Sequence, residues 1–173
     1  MDIPFERPSW DEYFMIQAEL VKLRSNCIIN QVGAVIVQSN QQIATGYNGT
    51  PPLIKNCFEG GCKKCHTSTI KETILQMKSD RCLCTHAESN AIMHCSLMGI
   101  KIGNESTSLY STFDPCIECV KMAITVGIKK LVCYHTAKIN RELLEQTTIK
   151  IIKIERIRVH HWIKKLIREY ERE

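Results

Sequence analysis

The chain has 173 residues, a formal net charge of +5 and ten cysteines. This length suits one domain with a substantial core. Apolar stretches such as residues 34–37 are too short to span a membrane, and the first ten residues lack the pattern of a secretory signal. We therefore expect no membrane association and a cytoplasmic location, in which the cysteines act as metal ligands and free thiols rather than forming disulfides.

The N-terminal part of the chain predicts a helix followed by a β-hairpin. Ser9 and Glu12 have the spacing of a capping box, and the helix is expected to end near Ser25. The apolar stripe expected to face the core consists of Tyr13, Ile16, Leu20 and Leu23. Strands are expected at residues 32–37 and 42–45, with a Ser-Asn turn between them.

Residues 51–84 are expected to form an irregular, cysteine-rich insertion. A loop this long in a compact domain usually has a function or is held in place by other interactions. One short helix is expected within it, at about residues 69–78. Because the insertion offers few apolar residues to bury, metal binding by its cysteines would give it a fixed structure.

Helices and strands alternate through the rest of the chain. The expected order is helix 87–98, strand 108–112, helix 116–126, strand 130–134, helix 139–146, strand 149–154 and a last helix from about Val159. A hairpin followed by this alternation implies an α/β fold, in which a mixed sheet carries helices on both faces. The basic residues concentrated after residue 150 are expected on a solvated helix face rather than in a nucleic-acid patch.

The most informative pattern is His86-Ala87-Glu88, followed later by Pro115-Cys116-Ile117-Glu118-Cys119. One imidazole and two cysteines three positions apart can hold zinc and leave its fourth position open. Zinc lowers the pKa of a bound water from about 15.7 to about 7, which provides a nucleophile at neutral pH. Glu88 remains free for proton transfer, and this combination is the signature of the zinc nucleobase deaminases.

Four segments resemble the deoxycytidylate deaminase family, within the wider cytidine deaminase superfamily. They are Val32-Gly33-Ala34-Val35-Ile36-Val37, Gly46-Tyr47-Asn48-Gly49-Thr50-Pro51, His86-Ala87-Glu88-Ser89-Asn90-Ala91-Ile92 and Pro115-Cys116-Ile117-Glu118-Cys119. The resemblance implies a three-layer α/β/α sandwich around a mixed five-stranded sheet, with residues 1–173 as a single zinc-dependent deaminase domain. It also implies the hydrolytic deamination of dCMP to dUMP, which supplies dTMP synthesis.

The resemblance further implies roles for individual residues. The implied zinc ligands are His86, Cys116 and Cys119, and Glu88 is the implied proton shuttle. Asn48 would hold the nucleoside, and the backbone N–H of Ala87 would contact the pyrimidine carbonyl. Many members are hexamers regulated by dCTP and dTTP, often with Mg²⁺, so a homo-oligomer and a nucleotide effector are also expected.

Some members of this family hold an additional structural zinc, and the matching positions here are Cys27, Cys57 and Cys84. We therefore expect at least one structural zinc in the cysteine-rich insertion. The fourth ligand stays open among three cysteines, namely Cys62, Cys65 and Cys82. The alternative interpretation is that these thiols are free, or buried as small apolar side chains.

Two other functions would use the same motifs. A polynucleotide deaminase acting on tRNA or single-stranded DNA needs a basic groove with aromatic stacking partners. An aromatic content of 6% disfavours that function. A non-catalytic zinc module with a scaffolding role is disfavoured by Glu88, because a structural site has no use for a free carboxylate.

Overall fold

The computed structural model describes residues 6–66, 82–104, 106–136 and 139–171. Its helices are α1 (Trp10–Lys22), α2 (Lys63–His66), α3 (Ala87–Leu97), α4 (Ile117–Thr125), α5 (Arg141–Glu145) and α6 (Arg156–Tyr170), with a 3₁₀ turn at Cys57–Glu59. Its strands are β1 (Gly33–Gln38), β2 (Gln41–Tyr47), β3 (Thr107–Ser111), β4 (Lys130–Cys133) and β5 (Lys150–Lys153). The helix expected at about 69–78 lies outside the described residues.

The strands form one mixed sheet in the order β2-β1-β3-β4-β5. Strand β1 pairs antiparallel with β2 and β3, whereas β3, β4 and β5 run parallel. One face packs against α3, α4 and α5, and the other against α1 and α6. The three-layer α/β/α sandwich is therefore confirmed. Among the described residues, no helix is long and apolar enough to cross a membrane.

Helix α1 begins as expected but buries a different face. Its capping box is present, because Glu12 N donates to Ser9 Oγ at 3.3 Å and Ser9 N donates to Glu12 Oε2 at 2.7 Å. The apolar residues buried against the sheet are Phe14, Met15 and Ala18. The predicted stripe is wrong at three of its four positions, because Tyr13, Leu20 and Leu23 are 43%, 60% and 72% exposed. Its fourth member, Ile16, packs against this core as expected.

The reason for this difference is the close approach of α1 to strand β1. A Cβ atom on Gly33 would lie 2.1 Å from the carbonyl oxygen of Ala18, so a glycine on the strand faces a small residue on the helix. This contact fixes the rotation of α1 about its axis. The helix also ends at Lys22, slightly before the expected position.

The elements after α1 lie close to their expected positions. As expected, Ser39 and Asn40 form the hairpin turn between β1 and β2. Their φ values are 52° and 58°, as in the turns that match the strand twist. Helix α6 begins at Arg156, a few residues before the expected Val159, which is fully buried against the sheet.

Strand β2 also touches a helix directly, and this contact positions the start of α3. A Cβ atom on Gly46 would lie 2.2 Å from the carbonyl oxygen of Ala87 and 2.3 Å from the backbone nitrogen of Ala91. Both neighbours are backbone atoms of α3, so neither can move aside without shifting the helix. Gly46 thus allows α3 to pack against the hairpin.

We expect Gly46→Ala to lower the free energy of unfolding by about 1–3 kcal/mol, the usual cost of overpacking. Urea denaturation of the variant measures this loss. Gln42→Ala, at an exposed position of the same strand, is the matched control and should change stability little. Equal stability of the two variants would contradict the proposed contact.

Candidate functional site

The two motifs meet at the N-termini of α3 and α4. His86 is the N-cap residue of α3, and Cys116 is the N-cap residue of α4, both with extended backbone angles. Cys119 follows in the first turn of α4. Both helices lie on the same face of the sheet, so the two helix starts bring the three side chains together.

The three donor atoms are spaced as zinc ligands require. His86 Nδ1 lies 3.4 Å from each of Cys116 Sγ and Cys119 Sγ, and the two sulfur atoms lie 3.6 Å apart. Tetrahedral coordination at Zn–S and Zn–N distances of about 2.3 and 2.1 Å separates donor atoms by roughly 3.5–3.8 Å. One imidazole nitrogen and two sulfurs at this spacing fit zinc.

The electrostatics of the set favour a thiolate at Cys116. The neighbouring Cys119 thiol and the His86 imidazole lower the pKa of the Cys116 thiol to about 3. The contact with Cys116, together with the nearby Glu88 carboxylate, in turn raises the pKa of the His86 imidazole. His86 is exposed, Cys116 is half-buried and Cys119 is buried, so the site opens to solvent on the imidazole side.

Glu88 lies beside this donor set and is only 3% exposed. Its Oε1 accepts a hydrogen bond from Ser111 Oγ at 2.7 Å, and its Oε2 lies 3.6 Å from Cys119 Sγ. Ser111 fixes the orientation of the carboxylate, and the second oxygen faces the donor set. Sequence reasoning missed Ser111; the available signal was a small polar residue at the carboxyl end of β3, where α/β proteins place their sites.

The two expected substrate-binding groups differ in their surroundings. The N–H of Ala87 is in the first turn of α3, where backbone N–H groups have no partner within the helix. The Asn48 side chain is buried, and its Oδ1 accepts from Val32 N and Ser25 Oγ, each at 2.7 Å. Its Nδ2 donates one hydrogen to Asn30 O at 2.6 Å, which leaves the second hydrogen for another acceptor.

The remaining candidate ligands form a second cluster. It consists of Cys27, Cys57, Cys62, Cys65, Cys82 and Cys84, and we call it the six-cysteine cluster. Two sets of three converging sulfurs occur within it, namely Cys27, Cys57 and Cys65, and Cys62, Cys65 and Cys82. Cys84 lies in the same buried cluster but outside both sets, and its role as a ligand stays a prediction.

Comparisons with known proteins agree with this geometry. A profile for the cytidine and deoxycytidylate deaminase zinc-binding region matches residues 8–135. The deoxycytidylate deaminase of Schizosaccharomyces pombe is 45% identical over 131 residues, which are 76% of this chain and 38% of the relative. The deoxycytidylate deaminase of Saccharomyces cerevisiae is 40% identical over 139 residues, which are 80% of this chain and 42% of the relative.

The chain therefore spans about two fifths of the length of these two curated relatives. Among solved structures, the dCMP deaminase of the cyanophage S-TIM5 in complex with dCMP and dUMP is similar, with a TM-score of 0.66 and 27% identity. That match covers 87% of this chain and 100% of the phage chain.

Proposed function

This chain belongs to the cytidine and deoxycytidylate deaminase family, and we propose on that premise that it hydrolyses dCMP to dUMP and ammonia. The observation that carries the proposal is the buried Glu88 carboxylate beside one nitrogen and two sulfur donors at two helix N-termini. The named relatives and the dCMP-bound phage structure support dCMP as the substrate.

His86, Cys116 and Cys119 are the residues that would hold the catalytic zinc. When bound there, zinc supplies a water of lowered pKa and polarises the reacting centre. Glu88 is outside this donor set, and its Oε1 is held by Ser111. The carboxylate is therefore free to move protons rather than to bind the metal.

Glu88 transfers the protons of the reaction, and two other groups bind the substrate. Glu88 accepts a proton from the attacking water through Oε2, the oxygen that faces Cys119. It then delivers protons to the ring nitrogen and to the leaving ammonia as the carbon–nitrogen bond breaks and water supplies the new carbonyl oxygen. The Ala87 N–H donates to the pyrimidine carbonyl, and the remaining Asn48 Nδ2 hydrogen contacts the nucleoside.

A substrate panel tests this function. Purified protein is assayed for loss of cytosine absorbance with dCMP, CMP, dCTP, deoxycytidine and a cytosine-containing oligonucleotide, with zinc analysis of the same sample. We expect the highest kcat/KM for dCMP. A preference for the oligonucleotide would support the polynucleotide deaminase instead, and zinc without turnover on any substrate would support the non-catalytic module.

Further expectations from the family complete this proposal. The chain is expected to form a homo-oligomer, by resemblance a hexamer, and to be regulated by dCTP and dTTP with Mg²⁺. Residues 1–173 are expected to form a single domain, with the insertion at about 51–84. We place the protein in the cytoplasm, where thiols stay reduced, because none of its ten cysteines forms a disulfide. At least one zinc is proposed in the insertion, with ligands among the six-cysteine cluster.

We expect Ser111→Ala to lower kcat by about tenfold or more with little change in KM. The reason is that a hydrogen bond to a carboxylate contributes about 1.5–3 kcal/mol, and its loss frees Glu88 to leave the reactive orientation. Steady-state kinetics and zinc content together measure this effect. A higher KM at unchanged kcat would contradict the positioning role.

A further inference from the structure

The six-cysteine cluster contains more sulfur ligands than one zinc ion can use. Five of its members are buried, and Cys82 is half-buried. They come from the loop after α1, the 3₁₀ turn, α2 with the residue before it, and the segment that precedes α3. A zinc site closed by four ligands would leave two of these thiols unexplained.

The sulfur spacing indicates metal binding rather than disulfides. Cys82 Sγ lies 3.5 Å from Cys62 Sγ and 3.6 Å from Cys65 Sγ. Bonded sulfurs are about 2.05 Å apart, whereas sulfurs on one tetrahedral zinc are about 3.8 Å apart. These distances match the spacing in the catalytic donor set, where the two sulfurs lie 3.6 Å apart.

The two sets of three share a member, which suggests two metal positions. Cys65 belongs to both sets. Cys82 Sγ contacts both other sulfurs of its set, Cys62 and Cys65, so it lies beside the shared ligand. Two tetrahedral ions need eight metal–sulfur bonds, and six thiolates supply eight when two of them bridge.

We propose that the six-cysteine cluster holds two zinc ions bridged by Cys65 and Cys82. Cys27 and Cys57 are the terminal ligands of one ion, and Cys62 and Cys84 are those of the other. Cys84 is assigned the one terminal position that the two sets leave open, and its backbone N–H donates to Cys82 Sγ at 3.5 Å. Six thiolates and two Zn²⁺ ions leave a net charge of −2 on the cluster.

The cluster would also connect three parts of the fold to the catalytic motif. Cys27 follows α1, Cys57 lies in the 3₁₀ turn, and Cys84 precedes His86 by two residues. Backbone hydrogen bonds between Gly49 and Thr85, of 3.2 and 2.8 Å, join the same region. A fixed Cys84 would therefore help to set the start of α3.

Metal analysis of the intact protein tests the proposal. We expect three zinc ions per native chain and two in Cys116→Ala, because that substitution removes the catalytic zinc and leaves the cluster intact. This pair of measurements tests the two-zinc cluster separately from the proposed function, on which the catalytic zinc depends. If native protein and Cys116→Ala hold the same number, the catalytic zinc assignment fails, whereas a single zinc in Cys116→Ala overturns the two-ion cluster.

A cadmium-substituted sample of Cys116→Ala tests the bridging. Two ¹¹³Cd resonances that show scalar coupling to each other are expected, because bridging thiolates connect the metals. Uncoupled resonances, or iron with acid-labile sulfide in the protein as isolated, would overturn the proposal. In otherwise native protein, Cys62→Ala should lose zinc, whereas Cys95→Ala, a buried thiol outside the cluster, should keep all of it.

Discussion

Replacement of Glu88 by glutamine is expected to lower kcat by about 10²–10⁴-fold, the usual contribution of a general acid–base group. Glutamine keeps the shape of the side chain and can still accept the Ser111 hydrogen bond, but it cannot take a proton from water. The zinc content and the melting temperature should stay the same. Steady-state kinetics with dCMP, metal analysis and thermal unfolding measure the three quantities.

Glu118→Gln is the matched control for this change. Glu118 lies in the first turn of α4, between Cys116 and Cys119, but its side chain is half-exposed and pairs with Lys121 at 3.0 Å. The control should retain nearly all activity, since exposed ion pairs contribute little. If Glu88→Gln and its control retain the same turnover, Glu88 is not the proton shuttle.

The parts of the site that the sequence predicted depend on short spacings. His86 and Glu88 are two residues apart at the start of a helix, and Cys116 and Cys119 are three apart at the start of another. A helix start fixes the relative directions of such near neighbours. The convergence of these donor groups could therefore be predicted before any tertiary contact was known.

The parts that the sequence did not predict depend on tertiary contacts. Ser111 reaches Glu88 because β3 ends beside the first turn of α3, and no local spacing encodes that position. The rotation of α1 depends on the contact between Gly33 and Ala18. A helical apolar stripe at Tyr13 and Leu20 satisfied the periodicity equally well, so the pattern alone could not choose between the faces.

The six-cysteine cluster was predicted only in part from the sequence. The cysteine spacings indicated a metal site, and a resemblance placed Cys27, Cys57 and Cys84 in it. In the structure, Cys27 and Cys57 converge with Cys65. Which sulfurs meet depends on the path of a long insertion, and that path is set by contacts such as the Asn26–Asn56 hydrogen bond of 2.8 Å.

Cys116→Ala is expected to remove one zinc per chain and to lower kcat by about 10³-fold or more. Metal stabilisation of developing charge contributes several kcal/mol, and each 1.36 kcal/mol changes the rate tenfold. The fold should survive, because Cys116 is only half-buried and its side chain makes no capping hydrogen bond to α4. Metal analysis, dCMP kinetics and circular dichroism follow the three effects.

Cys95→Ala provides the matched comparison. It removes a thiol from α3 that belongs neither to the catalytic donor set nor to the six-cysteine cluster. Cys95 is 1% exposed in the core, so its loss should reduce stability while the zinc content and kcat remain native. The two variants are thus expected to have opposite effects. Cys116→Ala should lose metal and turnover but keep its fold, whereas Cys95→Ala should lose stability but keep its metal. Full turnover and native zinc content in Cys116→Ala would show that the catalytic metal is held elsewhere in the chain.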